Sequence, residues 1–306
     1  MTIQHNFSYS NALSASAKIN WQVVDLIGGD KKLDFTKPFL PDGLAGVSSI
    51  TSLNDKEKLL LNQIRGATYL HLFQLVEDFI LPFALDHARE GAYGDKERVR
   101  ALVNFAEEEA KHQQLFRAFW DEFKKDFPVT PEVIGPSEAI ADTVLGHGKL
   151  GVALLVLHLE WLTQKHYLES IQTDESIDPL FADLLKHHWQ EEAQHAKLDT
   201  LIAAELASHS SQEEIEKAID EFLAIGGILD GGLQQQVKFD LDTLEKVIHR
   251  TLSPAEREEI ERIQLKSYRW TFLVSGLEQT NFVSAISDLS LAGLGRVQAV
   301  GKALLN

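Results

Sequence analysis

The sequence predicts an all-α protein. Three observations carry this. Apolar residues recur at three- and four-residue steps through long stretches, helix-capping residues precede those stretches, and alternating strand patterns are almost absent. The chain has 306 residues, 44% of them apolar and 25% charged, enough to bury a substantial core.

Residues 1–54 read as an irregular arm, with Gly28-Gly29, Pro38, Pro41 and Gly43 and no sustained period. Asn54 or Asp55 can cap a helix that follows Leu60, Ile64, Ala67, Leu70 and Phe73 to about Asp86. Pro82 inside it predicts a kink. A second helix is predicted from about Asp95 to just before Pro128. A Pro/Gly-rich connection with a short helix near 137–144 follows, then helices over about 149–171 and 179–207. Further helical stretches are expected at 211–224, 234–249, 254–276 and 280–304, punctuated by Gly226-Gly227 and Gly231-Gly232. The chain thus divides into an arm (1–54), a unit of four long helices (55–207) and a helical extension packed on it (208–306).

Composition removes several functions. There are 29 Lys and Arg against 46 Asp and Glu, a net charge of −17, and no Lys/Arg run longer than a pair. Such a chain is a poor partner for a phosphate backbone, so no nucleic acid is expected. There is no cysteine, and the single Met is the initiator. Disulfides, iron–sulfur clusters and thiol nucleophiles are excluded, and any metal must be held by His, Asp, Glu or backbone oxygen. No signal-like N-terminus and no apolar stretch of membrane-spanning length is present, so a cytoplasmic protein without membrane contact is expected. No Gly-x-Gly-x-x-Gly follows a strand, so neither flavin nor nicotinamide binding is expected.

Two segments match each other. Glu108-Glu109-Ala110-Lys111-His112 and Glu191-Glu192-Ala193-Gln194-His195 each place an acidic pair before a His. A Glu and a His three residues apart share a helix face and can reach one ion. Each motif has a Glu 32 residues upstream on the preceding helix, Glu77 before Glu109 and Glu160 before Glu192. Glu77 and Glu160 sit among Leu, Val, Ile, Phe and Trp, with no Lys or Arg three or four residues away. A lone Glu on a helix is ordinarily a solvated surface residue. Here a solvated face is hard to build, and an unpaired buried carboxylate costs several kcal/mol, so a partner is expected. Four Glu and two His at duplicated spacing fit a dinuclear metal centre, in which carboxylates neutralise two nearby cations. His188 lies one turn before Glu192 on the same face and is a seventh candidate, whereas His187 points elsewhere. Glu108 and Glu191 are expected to accept the outer N–H of the ligand His on the opposite helix.

This doubled pattern resembles the ferritin-like di-iron carboxylate oxygenases over roughly residues 60–205. The run His188-x-x-x-Glu192-x-x-His195 is similar to the site type of p-aminobenzoate N-oxygenases, which add a His one turn before the Glu. The resemblance implies a four-helix bundle, two iron ions (or manganese) held by Glu77, Glu109, His112, Glu160, His188, Glu192 and His195, and O₂ as co-substrate. It implies hydroxylation or N-oxygenation of a small organic substrate, with electrons from an external donor. A ferroxidase or other iron-handling protein and a Mn/Fe oxidase are the alternatives. Ferritins themselves are shorter and form shells. For assembly a homodimer is expected. Substrate-facing candidates one or two turns from the ligands are Phe73, Gln74, Phe105, Phe116, Val156, Gln164 and Tyr167, the last also a candidate redox residue. Ordinary bundle core is their simpler reading.

Overall fold

The computed structural model describes residues 2–306. The arm contains three short helices, α1 (Tyr9–Ser16), α2 (Val23–Leu26) and α3 (Asp42–Ala45). It is less irregular than its sequence implies, because tertiary contacts hold it. The side chain of Asn62 accepts from the amides of Phe39 and Leu40 at 2.7 and 3.1 Å and donates to the Leu40 carbonyl at 2.7 Å. Trp21, Leu26, Phe39, Leu40 and Leu44 are buried against the helices that follow.

Four long helices come next: α4 (Asp55–Glu90), α5 (Lys96–Asp126), then the short α6 (Ser137–Leu145), α7 (Lys149–His166) and α8 (Pro179–Ser208). Asn54 and Glu57 form a capping box at the start of α4, and Asp95 caps α5. α4 packs on α5 and α7 on α8, each pair joined by a short loop and so antiparallel, while the longer α6 connection crosses between the pairs. This is a four-helix bundle of two antiparallel pairs joined by one long crossover connection. α4 runs unbroken through Pro82, four residues further than its sequence pattern indicates. α7 is buried on every side from Leu150 to Gln164 and forms the centre of the molecule. It ends in one turn of π-helix, Tyr167–Ile171.

Beyond the bundle lie α9 (Gln212–Ile248), α10 (Pro254–Arg269), a second π turn at Trp270–Val274, α11 (Ser275–Leu277), α12 (Thr280–Leu289) and α13 (Leu291–Leu304). The glycine pairs at 226–227 and 231–232 do not interrupt α9, contrary to expectation. Each glycine costs roughly 1 kcal/mol of helix propensity. The buried stripe of Phe222, Ile225, Leu233 and Val237 on α7 and α4 offsets that cost. The single helix expected over 280–304 is instead two, because Ser290 is extended and caps α13 through its hydroxyl.

Two buried features frame the centre. Asp178 caps α8 by accepting from Phe181 N at 2.7 Å and also accepts from Asp34 N at 2.9 Å, tying the arm to the helix that carries three candidate ligands. His158 on α7 donates Nε2–H to the Leu273 carbonyl at 2.7 Å, and burial pushes its pKa down to about 4. No described helix is long and apolar enough to cross a membrane.

Candidate metal centre

The four bundle helices bring all seven candidate ligands into the interior. α4 supplies Glu77, α5 supplies Glu109 and His112, α7 supplies Glu160, and α8 supplies His188, Glu192 and His195. None is more than 3% exposed. Helical spacing explains the convergence on α8, since positions 188, 192 and 195 are stacked on one face. Glu77 is buried, as are Leu75, Val76, Phe79 and Ile80 around it.

Six of the seven form two overlapping groups, Glu77–His112–His188–Glu192 and Glu109–His112–Glu192–His195, in each of which one donor atom per residue lies within 4.8 Å of the others. His188 Nε2 is 3.1 Å from Glu77 Oε1 and 2.8 Å from Glu192 Oε1. His112 Nδ1 is 3.0 Å from Glu192 Oε1. His195 Nδ1 is 2.8 Å from Glu109 Oε1 and 3.1 Å from Glu192 Oε2. The two oxygens of Glu192 therefore face different histidines, as a bridging carboxylate's would. Glu160 belongs to neither group. It lines the same cavity and shares a hydrogen bond with Glu192. The two halves of the doubled motif are thus not arranged alike.

The outer nitrogens of the two motif histidines are fixed. His112 Nε2 meets Glu191 Oε2 at 2.8 Å, and His195 Nε2 meets Glu108 Oε2 at 3.0 Å. Each carboxylate lies on the helix opposite its histidine, and each is held in turn. Lys111 donates to Glu191 at 2.5 Å, while Ser16 donates its hydroxyl to Glu108 and receives a bond from Asn104 at 2.8 Å. A neutral imidazole whose proton sits on Nε2 presents a lone pair at Nδ1. Here both Nδ1 lone pairs would face carboxylate oxygens, an arrangement that needs a proton or a cation between them.

The electrostatics say the same. Burial opposes charge on His112, but bonds to Glu191 and Glu192 outweigh it and raise the ring to about 9. Burial likewise opposes charge on His195, and Glu192, Glu108 and Glu109 raise it well above the usual histidine range. Burial opposes ionisation of Glu192 too, yet His195 and His188 hold it well below the usual carboxylate range. Glu77 and Glu160 are raised well above that range, first by burial and then by neighbouring Glu109 and Glu192. Protons on histidines thus stand in for cationic charge that the site demands, and metal binding would displace them. Oε2 of Glu77, both oxygens of Glu109, Nδ1 of His112 and Oε2 of Glu160 are buried without a well-aligned hydrogen bond, although His195 and Glu192 approach two of them closely. Orphaned atoms so concentrated, all converging carboxylate oxygens and imidazole nitrogens, fit divalent iron or manganese.

The cavity at the cluster is small, about 10 Å³, lined by Phe73, Val76, Ile80, Leu159, Thr163 and the acidic and imidazole groups. That is space for about one water. Of the substrate-facing candidates only Phe73 lines it. Phe73 and Phe116 meet the His188 ring edge-on at 5.5 and 5.0 Å, and Phe105 lies 4.3 Å from His195. These aromatics wedge the histidines in place. Val156 is core, Gln74 is half-buried, and Gln164 is buried, donating to the Trp189 carbonyl at 3.4 Å. Tyr167 stacks on Trp189 at 4.2 Å. The structure does not gather these positions into one pocket, since one or two helical turns carry a side chain round to a different neighbour.

Residues outside the motifs complete the site. Trp21 lies parallel to His112 at 6.0 Å, and Lys111 Nζ sits 4.1 Å over the Trp21 ring. Asp199, one turn beyond His195, is fully buried with neither oxygen bonded, and its pKa is raised well above the usual range, foremost by burial. Spacing could have placed Asp199 on the ligand face. No local pattern links Ser16 or Trp21 to histidines about ninety residues or more away in sequence.

No protein-family model and no curated protein matches the chain. Among solved structures it is similar to an R2-like ligand-binding oxidase with an aerobically reconstituted metal cofactor after photoconversion, at 15% identity over 87% of this chain and 93% of that chain, with a TM-score of 0.46.

Proposed function

We propose that this protein is a dinuclear metal oxidoreductase that reacts with O₂, the centre being held by Glu77, Glu109, His112, Glu160, His188, Glu192 and His195. The observation that carries the reading is the pair of overlapping Glu/His groups whose outer imidazole nitrogens are already anchored. Those residues would hold iron or manganese, which in its reduced form would supply the redox chemistry toward O₂. The chain's own part is to set ligand geometry, to keep His112 and His195 in one tautomer through Glu191 and Glu108, and to shield the centre with Phe73, Phe105 and Phe116. Asp199, one turn beyond His195, is buried with neither oxygen bonded and favours its protonated form. Electrons come from an external donor, because no flavin or nicotinamide fingerprint is present.

The finer reading is oxygenation, by hydroxylation or N-oxygenation, of a small organic molecule. With space at the cluster for about one water, such a substrate reaches it only when lining side chains such as Phe73 and Leu159 turn aside. The same small cavity favours a second reading, an oxidase or ferroxidase whose substrates are O₂ and Fe(II) or electrons alone. Iron-loaded protein given O₂ and a chemical reductant, with and without arylamines, separates the two. Oxygenated product supports the first. Fe(II)-dependent O₂ uptake with no organic product supports the second, and no O₂ uptake contradicts both.

A further inference from the structure

An open groove of about 450 Å³ lies between the arm and α8. The arm contributes Lys18, Asn20 and Trp21 to its lining, and α8 contributes Trp189, Gln190 and Gln194. The Trp21 indole is also parallel to the His112 ring at 6.0 Å. One side chain therefore belongs both to the groove and to the packing of a proposed ligand. A second open groove with two cations, Arg262 and Lys266, is lined by no residue of the four bundle helices.

The charge of the face beside Trp21 departs from that of the chain, whose net charge is −17. Among the described residues no carboxylate lines the groove. Between Asp183 and Glu205, the residues that α8 leaves at the surface are Lys186, His187, Trp189, Gln190, Ala193 and Lys197. Glu191, Glu192 and Asp199 in the same segment are all buried. Helical spacing puts positions 186, 190, 193 and 197 on one stripe, with the two lysines about 16 Å apart at its ends. Exposed Lys18 adds a third positive charge from the arm. Asp183, at the edge of the stripe, lies 3.4 Å from His187. Encounters between electron carriers and their acceptors bury little surface and are steered by charge. At physiological salt screening acts over about 8 Å, so a carrier at this face meets the local lysines rather than the net charge.

We infer that this face docks a small acidic one-electron carrier protein, its carboxylates against Lys18, Lys186 and Lys197 and its redox group over Trp21, one ring from His112. The inference rests on the proposed function and names the kind of donor that serves it. In each encounter the carrier is oxidised by one electron and the centre is reduced by one. No bond forms or breaks, and two encounters supply an electron pair.

The test uses an acidic plant-type ferredoxin with a fluorescent label, titrated into the full chain and read by anisotropy. Saturable binding is expected at about 0.05 M salt, weaker by about tenfold at about 0.3 M. The double variant K18E/K186E should weaken binding at least about tenfold. Both lysines are exposed and neither is a proposed ligand, so this variant is expected to keep the fold and its metal content. K238E/K302E makes the same change in net charge at exposed positions on α9 and α13 and should bind as the parent does. Dithionite reduction of the iron-loaded parent checks the centre itself, and no reduction would contradict the proposed function and this inference with it. With that reduction intact, absence of ferredoxin binding would leave the groove to a small reductant and overturn the docking site. Unchanged binding in K18E/K186E, or equal weakening in both double variants, would overturn it as well.

Discussion

Glu191 holds His112 from the opposite helix: its Oε2 lies 2.8 Å from Nε2 of the imidazole, and its other oxygen receives Lys111 at 2.5 Å. One carboxylate thus joins α8 to α5 and fixes which ring nitrogen faces Glu192 and Glu77. Glu108 does the same for His195 in the other direction. The reciprocal pair makes the two Glu-x-x-His motifs one unit.

If that anchoring sets the ligands, Glu191→Gln should keep the fold and weaken metal binding about 10- to 100-fold, the usual cost of losing such a partner. Competition with a chelator of known affinity measures it. Unchanged affinity would mean that Glu191 serves only Lys111.

Metal should stabilise the folded chain by mass action. At a free-ion concentration about 100 times Kd the gain is about 2.7 kcal/mol, so chelation should lower Tm by several degrees. Calorimetry with and without Fe(II) or Mn(II) under nitrogen reads this directly. The Glu109→Ala and Glu192→Ala variants should not respond to either ion.

A separate pH effect resides in the buried cluster of Asp240, Tyr268, Thr68 and Gln236. Burial raises Asp240 to about 6 although these neighbours donate to it. A raised folded-state pKa contributes stability that is full below the unfolded value, near 4, and is lost as pH rises through about 6. The loss is on the order of 3 kcal/mol. Urea midpoints of the parent should therefore fall, relative to those of Asp240→Asn, between about pH 4 and pH 7. Parallel pH curves would exclude Asp240 as the source.

Asp178 caps α8 while bonding the amide of Asp34. Asp178→Ala should cost about 1–2 kcal/mol, at the upper end for a lost cap because the buried Phe181 amide and the part-buried Asp34 amide both lose their acceptor. Equilibrium denaturation gives the value, and proteolysis should show residues near Asp34 cut first. A stability change below about 0.5 kcal/mol would show the cap to be redundant.

The bundle was readable from sequence because its signals are local: capping residues, three- and four-residue apolar steps, and Glu/His spacings that one helix face enforces. The second and fourth long helices end within a residue or two of expectation, whereas α9 runs through two glycine pairs that read as breaks. Propensity was a poor guide there, because burial on α7 and α4 outweighs it. The seven Glu and His positions converge, yet Glu160 stands apart from the two groups, which spacing alone could not show. Trp21, Ser16 and Lys111 support the site through contacts between distant segments or helices and leave no periodic trace. The substrate-facing positions were least legible. Proximity along a helix does not reveal whether a side chain meets a cavity or a neighbouring ring.

Metal content is the most direct measurement. Protein loaded anaerobically with Fe(II), desalted and analysed by plasma mass spectrometry should hold about two ions per chain, and Glu109→Ala and Glu192→Ala should hold fewer than one. O₂ added to the loaded parent should be consumed in proportion to bound iron. Fewer than one ion per loaded parent chain, or two ions retained in both variants, would contradict the dinuclear centre and with it the proposed reaction with O₂.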